Sequence, residues 1–117
     1  MAAINIDAAL ERFDGDVEIY REIAGAFLES GVTDSRGLSE SFASGDAKKA
    51  LYFAHKIKGA ALTVGADALA AAAGKLEAIL RAEGPAPSPD LVSSVASETD
   101  NALGEMVEVL KKLKTPS

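Results

Sequence analysis

Apolar residues recur along this chain every three to four positions, and no stretch alternates apolar and polar residues as a half-buried strand would. That rhythm restricts the fold to packed helices. At 117 residues the chain encloses one core and not two, so a single domain over residues 1–117 is expected. Asn5 or Asp7 caps a short first helix running to about Phe13. Asp14-Gly15-Asp16 reads as a stop followed by a new N-cap. Beyond it Ile19, Ile23, Ala26 and Phe27 form a stripe that weakens at Ser30-Gly31. Leu38 and Phe42 carry a further segment to Ser44-Gly45, and whether Gly31 breaks or bends the helix stays open.

Asp46 is a good N-cap for a helix over about 46–64, with Gly65 as its C′ residue. The next helix spans about Ala66 to Ala82, with Leu69, Ala72, Ala73, Leu76, Ile79 and Leu80 on one side. Pro85-Ala86-Pro87-Ser88-Pro89 is a connector, in which Ser88 caps the last helix and Pro89 takes its first position. The last stripe is Leu91, Val95, Thr99, Ala102, Leu103, Met106, Leu110 and Leu113. Lys111, Lys112 and Lys114 follow at the C-terminal end, where cations complement the helix dipole. Long amphipathic helices with short connections predict an all-α, up-and-down antiparallel four-helix bundle with one or two short accessory N-terminal helices.

Composition narrows function. There is no cysteine, which removes disulfides and thiol chemistry, and a single histidine cannot build a histidine-based metal site. No acidic loop has calcium-ligand spacing, so no metal is expected. A net charge of −6 argues against nucleic acid. The most apolar window, Ala66 to Leu80, is interrupted by Asp67, Gly74, Lys75 and Glu77 and is too polar to span a bilayer. Met1 to Asp7 lacks the basic start and apolar run of a secretory signal. A cytoplasmic, monomeric protein is the expectation, free-standing from Met1, although an excised domain would look similar.

On a wheel of roughly 100° per residue, Ala50, Phe53, Ile57, Ala60, Ala61 and Val64 fall on the core side of the 46–64 helix. His55 falls opposite, with Lys48, Leu51, Tyr52, Lys58, Gly59 and Leu62 around it. Lys58 and Gly59, at i+3 and i+4, touch it directly. A mid-helix glycine costs about 1 kcal/mol relative to alanine, so Gly59 calls for a reason. Removing the side chain there lets another surface approach the imidazole. Leu51 and Leu62 add apolar area suited to docking. The plainer reading, a solvated histidine and lysine beside a packing glycine, competes with this one on the wheel alone.

The run Ala54-His55-Lys56-Ile57-Lys58-Gly59-Ala60-Ala61, continuing through Leu62-Thr63-Val64-Gly65-Ala66, resembles the signature of the histidine-containing phosphotransfer (HPt) domain family. Leu76-Glu77 falls where that family often has a Leu-Glu pair, and Phe27-Leu28 with Gly45-Asp46 also fits. The resemblance implies a four-helix bundle without kinase activity of its own and no cofactor. It makes His55 the phosphoacceptor, Lys58 the nearby cation and Gly59 the opening; Leu51, Lys56 and Leu62 around them are the candidate partner-binding residues. Some members place a glutamine near the imidazole. The matching position here is Glu77, a departure that puts its role in doubt because a carboxylate repels a phosphoryl group.

The chemistry agrees with a relay. An imidazole offers a ring nitrogen as nucleophile near neutral pH, and phosphoryl transfer needs chiefly alignment and charge cancellation. The resemblance makes the partners response-regulator receiver domains, which hold the Mg²⁺ themselves, together with a hybrid histidine kinase. A histidine-kinase dimerisation bundle fits less well, because Lys56 follows His55 and no proline occurs before Pro85. A non-catalytic helical adaptor is the remaining alternative.

Overall fold

A computed structural model describes residues 4–82 and 86–112. They form five helices: α1 (Ile6–Arg12), α2 (Val17–Ala43), α3 (Ala47–Val64), α4 (Asp67–Arg81) and α5 (Pro89–Lys112), with no strand among the described residues. Local chemistry sets the ends. The side chains of Asn5, Asp16 and Asp46 accept hydrogen bonds from the backbone N–H groups of Ala8, Ile19 and Lys49. Each satisfies a donor that the first helical turn leaves unpaired. Ser88 does the same for Leu91 N–H at 3.2 Å, immediately before Pro89. Gly65 ends α3 in the left-handed region, at φ 86°.

The four longer helices close a ring in which α2 and α4 each pack on both α3 and α5, while the short α1 lies against α2 and α3. Three donors meet the carbonyls at the C-terminal end of α3. The Tyr20 hydroxyl donates to Val64 O at 2.7 Å, Asn5 N–H donates to Gly65 O at 2.7 Å, and the Arg12 guanidinium donates to Leu62 O. Burial pushes the Tyr20 phenol up to about 12, so it remains a donor. These contacts fix the end of α3. Its other attachment is lateral: Ala54 and Ala61 of α3 and Ala70 and Ala73 of α4 are all buried, and side chains this small let two helices approach closely.

Several expectations from periodicity are corrected. Residues 17–43 form one helix, so Gly31 neither breaks it nor separates a third segment around Leu38 and Phe42. A Cβ at Gly31 would lie 2.6 Å from Leu103 Cδ2, and one at Gly37 would lie 2.4 Å from Phe53 Cζ. Both glycines are places where α2 is crowded by a neighbour. The buried stripe of α2 is Tyr20, Ala24, Phe27, Gly31, Asp34, Leu38 and Ser41, whereas Ile19 and Ala26 face solvent. On α3, Ala50, Ile57, Ala61 and Val64 are buried as expected and Ala54 joins them, while Phe53 and Ala60 are half-buried against the core. On α4, Ala72, Ile79 and Leu80 are half-buried and Glu77 takes a core position. On α5, Val92 is buried where Leu91 is half-buried. Pro85, Leu113 and Lys114 lie outside the described residues.

Gly31→Ala tests the crowding. Leu103 is itself buried, so the added methyl has nowhere to go. Overpacking of this kind costs about 1–3 kcal/mol, which outweighs the helix-propensity gain of up to about 1 kcal/mol. The urea midpoint should fall. A rise would show that Leu103 simply turns aside.

Candidate functional site

His55 stands in the middle of α3 between buried Ala54 and, two residues on, buried Ile57, which fix its backbone while the imidazole projects outward. Its side chain is 65% exposed, and beneath it lies Glu77 of α4, whose side chain is 6% exposed. The His55 Nδ1 to Glu77 Oε2 distance is 2.5 Å. Two cations share the same carboxylate. Lys58 Nζ donates to Oε1 at 2.9 Å, and Arg81 Nη2 donates to Oε2 at 2.9 Å. Lys58 reaches across to α4 over Gly74, where a Cβ would stand 3.4 Å from Lys58 Cδ.

These donors decide the charge of Glu77. The hydrogen bonds from Lys58 and then Arg81 hold its carboxyl at about 2, against the opposing effect of burial, and the hydrogen bond with His55 adds to the depression. An ionised carboxylate only accepts hydrogen bonds, so the proton between Glu77 and the imidazole belongs to Nδ1. That leaves Nε2, on the ring edge away from Glu77, as the nitrogen with a free electron pair in the neutral ring. The doubt about a carboxylate at this position has a physical answer. Glu77 is outweighed by two cations in direct contact with it, so the three-residue cluster beneath His55 carries a net positive charge.

A depressed carboxylate stabilises the fold above its ordinary pKa, and that contribution disappears as pH falls through the folded value. Glu77→Gln should therefore be less stable than the wild type at pH 7. The gap should close as pH drops from about 4.5 towards about 2, as read by thermal melts across that range. A gap that stays constant with pH would mean that the ionised form of Glu77 adds nothing to stability.

The remaining residues singled out in the sequence separate into two groups. Gly59 and Leu62 lie with His55 along one exposed face of α3; nothing comes within 4 Å of a Cβ placed at Gly59, and Leu62 is 42% exposed. Lys56 turns towards α2, where its Nζ meets buried Asp34 Oδ1 at 3.2 Å and stands 5.9 Å from the centre of the Tyr52 ring. Leu51, expected on the open face, is half-buried and borders a cavity with Phe42, Ile79 and Leu80. Periodicity passed over Arg81, Gly74 and Asp34. The Glu77–Arg81 spacing of i, i+4 was a readable signal for the first, because such pairs touch on a helix. Gly74 carried the same local signal as Gly59, a glycine in mid-helix, whereas nothing local marks Asp34, whose partner lies on another helix.

The sequence profile of the Hpt domain matches residues 22–113. Among solved structures, the chain is similar to the crystal structure of the HPT domain from the Hpt sensor hybrid histidine kinase of Shewanella. The TM-score is 0.89 at 18% identity, with 97% of each chain covered. No curated protein sequence matches the chain. With its profile match over most of its length and its helical-bundle fold, the chain belongs to the Hpt domain family, whose setting is the two-component phosphorelay. Among the described residues no helix is long and apolar enough to cross a membrane.

Proposed function

We propose that the chain is a phosphorelay intermediate. In this reading His55 accepts a phosphoryl group from the aspartyl phosphate of one receiver domain and passes it to another. The observation that carries the reading is the exposed imidazole whose Nδ1 rests on buried Glu77, with Lys58 on the same carboxylate. The Nε2 electron pair attacks phosphorus, the bond from phosphorus to the aspartate oxygen breaks, and its electron pair leaves on the receiver's carboxylate. As the N–P bond forms, the ring becomes positive. The Nδ1 proton stays in its hydrogen bond to Glu77, whose charge stabilises that ring, much as a buried carboxylate supports a catalytic imidazolium elsewhere.

Lys58 has three donors and spends one on Glu77, which leaves the others available to the transferring oxygens. Gly59 and Leu62 give the receiver a flat approach beside His55, with Leu51 and Lys56 at its margins. The connections of a few residues at 44–46, 65–66 and 82–88 favour antiparallel neighbours, hence the up-and-down order of α2 to α5. The whole chain, 1–117, acts as one domain, a cytoplasmic monomer without kinase activity of its own. Receiver domains are its partners, and a hybrid histidine kinase is the source of phosphate.

Incubation with receiver domains carrying labelled aspartyl phosphate tests the proposal. The chain should take up label that is acid-labile and base-stable, as expected for a phosphoramidate. No uptake from any receiver of the source organism would favour a non-catalytic adaptor.

A further inference from the structure

Arg81 has no part in the transfer as described, yet its guanidinium contacts the same carboxylate oxygen as the imidazole. We propose that Arg81 is a positioning residue: it holds Glu77 Oε2 where that oxygen receives the Nδ1 proton of His55, and so sets which ring nitrogen is left to react. The inference rests on the reading of His55 as acceptor, but its structural half stands apart from any partner.

The two cations on Glu77 are not equivalent. Lys58 takes Oε1 at 2.9 Å, which anchors one end of the carboxylate and leaves the other free to turn about that bond. Arg81 Nη2 takes Oε2 at 2.9 Å, while His55 Nδ1 lies 2.5 Å from the same atom. A carboxylate oxygen accepts in two directions, and a planar guanidinium filling one of them steers the other towards the ring. Arg81 is also one helical turn from Glu77, so its geometry is set within α4 and not by the packing of α3. Its own side chain is 59% exposed but the carboxylate it meets is 6% exposed, so removing it costs some stability, limited because Lys58 stays on the same carboxylate. Its distinguishing effect should therefore appear at His55, beside a modest loss in the melting curve.

The chain has one histidine, so ring-labelled ¹⁵N-histidine gives a single imidazole to follow. In the wild type the spectrum should show Nδ1 protonated and Nε2 bare at a pH where the ring is neutral. Arg81→Ala should shift both nitrogens towards a mixture of tautomers and slow transfer from a phosphorylated receiver about 10-fold, the scale at which lost orienting partners act. Arg81→Lys should restore part of both, and the loss in thermal melts should be smaller than that of Glu77→Gln. Unchanged ¹⁵N shifts in Arg81→Ala would overturn the positioning role even if transfer slowed, since the loss would then arise at the docking surface. Should the wild type take no phosphate from any receiver, the acceptor reading fails, while the tautomer comparison still decides the role of Arg81.

Discussion

His55→Gln should lose phosphoryl uptake completely while keeping the fold. Glutamine retains a polar side chain on an exposed position of α3, and neighbours Ala54 and Ile57, which hold that turn in the core, are untouched. The glutamine amide can still donate to Glu77, and the hydrogen bond at stake is worth about 1 kcal/mol, a small part of a domain's stability. The chemistry, by contrast, has no substitute, because an amide nitrogen offers no free electron pair and the sequence has no second histidine. A label assay paired with a thermal melt checks both halves. Residual label on an aspartate or serine would show that the acceptor lies elsewhere.

The second large effect is a separation of stability from function at Gly59. The position is open, with no atom within 4 Å of an added Cβ. A side chain there gains helix propensity, up to about 1 kcal/mol for alanine, without clashing inside the protein. The same side chain would stand one turn from His55 on the face by which, in the proposed reading, a receiver approaches, where in-line transfer demands close contact. Gly59→Gln should keep or raise the melting temperature and lose receiver binding and transfer by at least about 10-fold, the scale on which misplaced reacting groups are felt. Ile57→Ala, on the buried side of the same helix, should do the reverse. It should cost about 2–5 kcal/mol while sparing the intrinsic transfer chemistry of the molecules that remain folded. Normal transfer by Gly59→Gln would mean that the receiver docks along another line.

The helix ends were legible because caps are local. Asn5, Asp16, Asp46, Ser88 and Gly65 each act on backbone within a turn of themselves, and sequence displays that directly. The faces of α2 and α3 were legible only to within a residue. Weighing bulk pulls the inferred core towards Ile19, but the interior of this bundle also takes small residues such as Ala24 and Ala54, with Asp34 and Ser41 among them. Close packing accepts whatever fits, not whatever is most apolar. Gly31 shows the same limit: a glycine that admits Leu103 and a glycine that ends a helix look alike until the neighbouring helix is known.

The site divides in the same way. His55, Lys58 and Gly59 lie within five residues on one helix, so spacing and family resemblance bring them together. The burial of Glu77 was not legible, since a glutamate on an apolar stripe reads as an interruption. It is buried because Lys58, Arg81 and His55 converge on it, and two of those three belong to α3. Only the approach of α3 to α4, across which the Lys58 stem passes over Gly74, creates that convergence.

The central claim is that Nε2 of His55 carries the phosphoryl group while Glu77 keeps the proton on Nδ1. Its most direct test is ³¹P and ¹⁵N NMR of the histidine-labelled chain after transfer from a phosphorylated receiver. A single phosphorus resonance coupled to Nε2, with Nδ1 still protonated, is the expected spectrum. Coupling to Nδ1, or phosphate on a carboxylate or hydroxyl with both ring nitrogens unchanged, would contradict it.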